Sequence, residues 1–218
     1  MDAELSAVQT GRGLWASPSV PKAGWRCVGI ADLGSASKVC DMCQSMHIRY
    51  AHTMHHPATG RTLVAGCVCA GHMQGDLACA QGNDAWLRNR ASRRIRWTRR
   101  RWRTSRSGNP CTTSEGMTLT VFRQEGGWKG VVSDPNQPAS RAFTDRAYQA
   151  QEEAKIAAFD LCTQYLARHR VQSGQPPTPK SQPRAARRGG EVETVVPWME
   201  QPTLWERMRA VAGRVFGS

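Results

Sequence analysis

The sequence predicts an α+β protein: a small zinc-binding module, a basic helix, a β-β-β-α module, and a disordered tail with a terminal amphipathic helix. Three observations predict it. Cysteines cluster on either side of a predicted hairpin, "CDMC" at 40–43 and "GCVC" at 66–69. Two groups of short strand-like segments are each followed by a helical period. Finally, neither module exceeds about 80–90 residues, a size at which core burial alone is marginal and a metal staple helps.

The first 23 residues are rich in Gly, Ser, Pro and Ala without a period, and a loosely ordered N-terminus is expected over 1–23. The zinc-binding module is expected over 24–83. "GWRCVGIADL" (24–33) has the content of a short strand, and "HIRYAHTM" and "RTLVAGC" read as two strands joined by the turn "HHPATG". That hairpin separates the cysteine groups in sequence and can return them to each other in space.

From Asp84 the chain predicts an arginine-rich helix over 84–106, capped by Asn83 or Asp84, with Leu87, Ala91, Ile95, Thr98 and Trp102 on one face. "SRSGNP" stops it. In the β-β-β-α module (115–170), "MTLTVFR" alternates as a strand, "QEGG" turns, "WKGVVS" returns, and "SRAF" adds a third short strand. "DRAYQAQEEAKIAAFDLCTQYLARH" then predicts a helix with Ala150, Ala154, Ala157, Ala158, Leu161 and Tyr165 on its apolar face, and Ile156 and Phe159 beside it. A Pro- and Arg-bearing linker (171–194) leads to an amphipathic helix in 195–218, opened by a Thr203/Glu206 capping box and striped by Leu204, Met208, Val211 and Val215. That last helix is a candidate protein-docking element.

Eight cysteines without a recognisable signal peptide point to a cytoplasmic, reducing setting, where paired cysteines are metal ligands rather than disulfides. No apolar run is long enough to span a membrane. Zinc takes four ligands from thiolate and imidazole, and Cys-x2-Cys on a tight turn presents two sulfurs suitably. Cys40 and Cys43 supply them. Cys69 and His72 share x2 spacing on a helix expected to begin near Ala70 and complete the preferred set. Cys67 is the alternative fourth ligand, with His52 or His56 behind it. Zinc at this site is structural. Cys27, Cys79, Cys111 and Cys162 are scattered and expected to be small buried hydrophobes.

The net charge is +13, and ten arginines with no acidic residue lie between Trp86 and Arg106. Exposed helix faces ordinarily mix signs for i,i+4 support, so an unmixed stripe points to a polyanion. DNA or RNA is the expected partner, met by Arg93, Arg94, Arg96, Arg99, Arg100, Arg101 and Arg103. A membrane surface is disfavoured because Trp86, Leu87, Ile95, Trp97 and Trp102 are expected to pack on the zinc module; Trp97 and Trp102 serve equally well as core or as stacking residues.

"CDMCQSMHIRYAHTM", "GCVCAGHM", "RRIRWTRRRWRTSRSGNP" and "GGW" with "EEAKIAAFD" together resemble a group of largely uncharacterised bacterial and phage proteins with a treble-clef-like zinc finger. The resemblance covers roughly residues 24–168 and implies a zinc knuckle, a hairpin and a helix start around one zinc. It also implies an accessory role in a mobile element or phage. The element order of the second module is similar to AP2-type domains, whose sheet enters a DNA groove; Arg123, Trp128 and Lys129 would then face nucleic acid.

"HTMHHPATG" is also similar to the first segment of His-Asn-His nucleases, which makes a metal-dependent nuclease the enzymatic alternative, with His56 as its base. Its partners are missing from the neighbourhood: no Asn lies between His56 and His72, and no acid occurs from Pro57 to Gly75. His47, His52, His55 and His56 are instead expected at an exposed hairpin tip. Binding rather than catalysis is the expectation, with a protein-interaction adaptor using 195–218 as the remaining alternative.

Overall fold

Alternating apolar residues build two larger antiparallel sheets beside a two-stranded ribbon, and one long helix packs on both larger sheets. The computed structural model describes Val8 and residues 11–173, the side chains at 138 and 139 excepted. The expected linker beyond Ser173 and the amphipathic helix of 195–218 lie outside the described residues.

In the first sheet, β1 (Arg26–Asp32) pairs with β4 (Tyr50–His55), which pairs with β5 (Thr62–Ala65). The expected single strand over 47–54 is divided. β3 (His47–Ile48) pairs instead with β2 (Lys38–Val39), and this short ribbon flanks the Cys40–Cys43 turn. Helix α1 (Cys67–Gln74) begins directly after β5, three residues earlier than expected, with Gly66 as its N-cap and Gly75 closing it in the left-handed region. Helix α2 (Leu77–Ile95) follows.

Asp76 caps α2 by accepting a hydrogen bond from the Cys79 amide at 2.8 Å. The expected caps Asn83 and Asp84 are therefore inside the helix, and its end lies at Ile95 rather than at 106. Its inward positions are Ala80, Asn83, Asp84, Leu87 and Arg90, a three- and four-residue period. The face predicted through Ile95 is displaced: Ile95 is 82% exposed, while Trp97, in the turn beyond the helix, is buried.

The second sheet has five strands, not three. Its order is β10-β9-β8-β7-β6, a meander of β6 (Arg103–Thr104), β7 (Pro110–Ser114), β8 (Met117–Gln124), β9 (Gly127–Asp134) and β10 (Gln137–Phe143). The "SRSGNP" segment turns the chain from β6 into β7, so the last residues of the arginine run become a sheet edge.

Helix α3 (Gln151–Ser173) crosses the inner face of this sheet. It starts later than expected because residues near Tyr148 are held by a two-way backbone bridge to Trp128, at 2.7 and 2.8 Å. Leu119, Val121 and Val132 meet Ala154, Ala158, Phe159 and Cys162, with Trp97 closing the core at 4.4 Å between its ring and that of Phe159. Ile156 is off this face. Gly130 makes the approach possible: a Cβ there would stand 2.8 Å from that of Ala158.

The C-terminal half of α3 continues to the first sheet, where Ala167 packs with Ile30 and Leu87, and Val171 joins them. Residues 171–173 are thus helix rather than linker. Arg170 donates to the Asn83 side-chain oxygen at 2.7 Å, tying α3 to α2.

One guanidinium locks these elements. Arg90 is 2% exposed and reaches Glu115 at 3.0 Å, Thr163 at 2.6 Å and the Phe159 carbonyl at 3.4 Å. Its plane lies 4.1 Å from the Phe159 ring centre. Burial alone would raise the pKa of Glu115, but the charges of Arg90 and Arg93 and hydrogen bonds from Trp86 and Arg90 outweigh it and lower it. The pair is thus ionised in the fold, and its contribution is lost as acid protonates Glu115 below its ordinary range. Removing a buried guanidinium costs about 3 kcal/mol, whereas an exposed ion pair contributes about 0.5 kcal/mol or less. Urea unfolding should therefore show Arg90→Ala destabilised by about 3 kcal/mol, with Arg49→Ala, which breaks an exposed contact to Asp32, changed far less.

Candidate metal centre

The knuckle is built by backbone. Cys40 donates its amide to the Met46 carbonyl at 2.8 Å, and Gln44 donates back to the Cys40 carbonyl at 2.9 Å. Asp41 fixes the turn to β5: its amide reaches the Val64 carbonyl at 2.9 Å and its carboxylate accepts the Val64 amide at 2.7 Å. The turn therefore rides on the hairpin, and the next residues of that hairpin enter α1. The two cysteine groups meet because β5 delivers both.

The result is a cluster of three sulfurs. Cys40, Cys43 and Cys69 are buried, and their Sγ atoms lie within 4.8 Å of one another. Four-coordinate zinc with Zn–S bonds of about 2.3 Å needs sulfur–sulfur edges of about 3.8 Å, so a small inward movement suffices. Among the described residues this is the one group of three or more Cys, His, Asp or Glu side chains placed to hold a metal ion.

Local donors favour thiolate in the cluster. Cys40 accepts the Gly66 amide at 3.4 Å. Hydrogen bonding from Cys69, with the amides of Cys43, Gly66 and Met42, outweighs burial and pulls the Cys40 thiol down to about 5. Cys69, which then keeps its proton, is pushed up by that same bond and by burial. A divalent cation is the natural replacement for the shared proton, because it neutralises several sulfurs at once.

The N-terminal segment, expected to be loose, covers the knuckle from residue 11 onward. Leu14 donates its amide to the Met42 carbonyl at 2.8 Å, and Gly13, at φ 62°, lies so close that a Cβ would stand 2.7 Å from the Cys43 carbonyl carbon. Lys22 clasps the carbonyls of Leu14 and Ser17. Trp15 packs against the core that holds the cluster, and its buried indole N–H has no hydrogen-bond partner among the described residues. This cover was invisible in the composition of residues 1–23. A glycine followed by Leu-Trp was its single trace.

His72 and Cys67 fall outside the group. With α1 starting at Cys67, that residue stands about 200° around the helix from Cys69 and is half-buried on another side. His72 is exposed one turn on, its ring edge-on to Trp15 at 6.5 Å. The expected alternatives are also placed elsewhere. His52 is fully buried against the Ala80 carbonyl at 3.3 Å, where desolvation lowers its pKa and keeps it neutral. That corrects its expected place on an exposed hairpin tip: β4 turns its side chain toward α2. His56 sits in the β4–β5 turn, hydrogen-bonded to Thr59 at 3.2 Å and edge-on to Trp25. Among the described residues it belongs to no group of three or more side chains placed to hold a metal ion.

Of the remaining cysteines, Cys162 lies in the second core, while Cys27, Cys79 and Cys111 are half-buried. Burial raises Cys27 to about 11, so it remains a thiol. No helix among the described residues is long and apolar enough to cross a membrane. No protein-family description, curated protein or solved structure matches this chain.

The geometry makes a metal analysis decisive. Elemental analysis of purified protein should give one transition-metal ion per chain. Cys40→Ser, Cys43→Ser and Cys69→Ser should each lose it and lower the unfolding midpoint, while Cys67→Ser should retain it.

Proposed function

We propose that this chain is a zinc-stabilised nucleic-acid-binding protein of treble-clef-like architecture, an accessory factor rather than an enzyme. Zinc on Cys40, Cys43 and Cys69 closes a core too small to be stable alone, and the arginine segment after α2 meets phosphate. One observation carries the reading: Arg96, Arg99, Arg101 and Arg103 are exposed, and none has an acidic partner among the described residues.

The remaining arginines of the expected set do other work. Arg93 joins Glu115 and Ser114, Arg94 makes a two-point contact with Asp160 at 2.7 and 2.8 Å, and Arg100 donates to the Thr113 carbonyl at 2.7 Å. The charges of Arg93 and Arg94 are met by carboxylates, and Arg100 has one donor held by a neutral carbonyl. Phosphate contact therefore falls to the four free arginines, which lie in the turns and the edge strand beyond Ile95 rather than along a straight helix. Guanidinium suits the task because it meets a phosphate with two parallel donors and stays charged.

Four neutralised phosphates predict a slope of log K against log salt of about −3.6 on duplex DNA and about −2.8 on a single strand. Anisotropy titrations of the full, zinc-loaded chain with labelled oligonucleotides check this. The combined Arg96→Glu, Arg99→Glu and Arg101→Glu variant should bind at least a hundredfold more weakly and with a flatter slope. Arg94→Ala should leave binding unchanged. Absence of binding to any polynucleotide in dilute buffer would remove the proposal.

A further inference from the structure

The second sheet has a face that no helix among the described residues covers, and its residues are unlike those of an ordinary solvated sheet. Strand register fixes which they are. Val121 opposite Gly130 and Leu119 opposite Val132 point to α3, so the alternate positions point outward. One outward row runs from Arg103 through Cys111, Thr120 and Val131 to Phe143. The next ends in Arg141, and the third holds Phe122 opposite Lys129.

This face carries three cations and no carboxylate. It also carries two aromatic rings. Phe143 is 52% exposed, and Phe122 meets it edge-on with ring centres 6.4 Å apart. The core of this sheet, including Trp97, lies wholly on the opposite side. Arg123 and Trp128, expected to face nucleic acid, have the inward parity, and Trp128 is packed in the second core.

Aromatic rings set between cations, Phe143 exposed and Phe122 half-buried, are poorly suited to a duplex, whose bases are already stacked on one another. They suit a strand whose bases are free. Each unstacked base can lie on an aromatic ring whatever its identity, while its phosphates meet the flanking cations. We propose that this open sheet face is a stacking platform for single-stranded nucleic acid, with Phe122 and Phe143 under bases and Arg103, Lys129 and Arg141 on the backbone. Four strand spacings separate Arg103 from Arg141, about 19 Å, the width over which a sheet of this kind holds two or three bases. Arg103 stands on the edge strand that directly continues the free arginines at 96, 99 and 101, so one strand can run from that segment onto the sheet. The inference rests on the nucleic-acid reading above and names its substrate class.

The test uses the full zinc-loaded chain and four labelled probes: a mixed-sequence single-stranded DNA, the same sequence as RNA, its duplex, and an abasic strand of equal length and charge. Stacking predicts that both base-bearing single strands bind at least tenfold more tightly than the abasic strand, and more tightly than the duplex. Phe122→Leu and Phe143→Leu, which keep an apolar side chain without a ring, should each lower single-strand affinity about tenfold. Equal affinity for abasic and base-bearing strands overturns the platform and leaves the arginine reading intact, and a preference for duplex does the same. Loss of binding to all four probes overturns both. The abasic comparison needs no variant, so a folding defect in either phenylalanine variant does not obscure the outcome.

Discussion

The burial of one positive charge organises the second half of this molecule. Arg90 is enclosed by α2, α3 and the turn between β7 and β8, and its donors are met by a carboxylate, two hydroxyls and a carbonyl. A guanidinium taken out of water is tolerable only when so satisfied. The arrangement therefore fixes α2 against α3 to the accuracy of hydrogen bonds. The hydroxyls of Ser114 and Thr163 meet donors that burial would otherwise leave without a partner. The ring of Phe159 beneath the guanidinium supplies the remaining contact.

That constraint propagates outward into charge. With Arg90 locked, Glu115 and Asp160 are drawn to the neighbouring Arg93 and Arg94, and the helical half of the basic run is neutralised internally. The uncompensated charge is displaced to residues 96–103, where the chain leaves α2 and enters the sheet edge. A stripe that looks uniform along the chain becomes polarised in space, with one part cementing the fold and the other facing solvent. The nucleic-acid proposal concerns the second part.

The metal centre obeys a different logic. Three sulfurs are gathered by backbone geometry: the Asp41–Val64 contacts seat the knuckle on β5, and β5 leads straight into α1. Spacing made Cys40, Cys43 and Cys69 legible. His72 follows Cys69 by three residues on the same side of α1, but it is exposed and stands outside the three-sulfur group. The covering segment around Gly13–Trp15 was not legible, since its bonding partners lie some thirty residues away and it has no period of its own. Similarly, β6 and β7 do not declare themselves by period; β7 forms on the edge of β8, and β6 in turn on the edge of β7.

Alternation in "MTLTVFR" and "WKGVVS", the helical period from Ala154 to Cys162, and the paired cysteines were determined by the sequence itself, because each depends on neighbours a few residues apart. The α+β class follows from them. Tertiary structure alone decided which arginines are spent on carboxylates, which histidine is buried, and which face of the second sheet stays open. Those outcomes depend on partners such as Glu115 and Asp160 that lie 22 and 66 residues from the arginines they neutralise. Charge pairing and burial are properties of distance in space, and a linear pattern does not carry that distance.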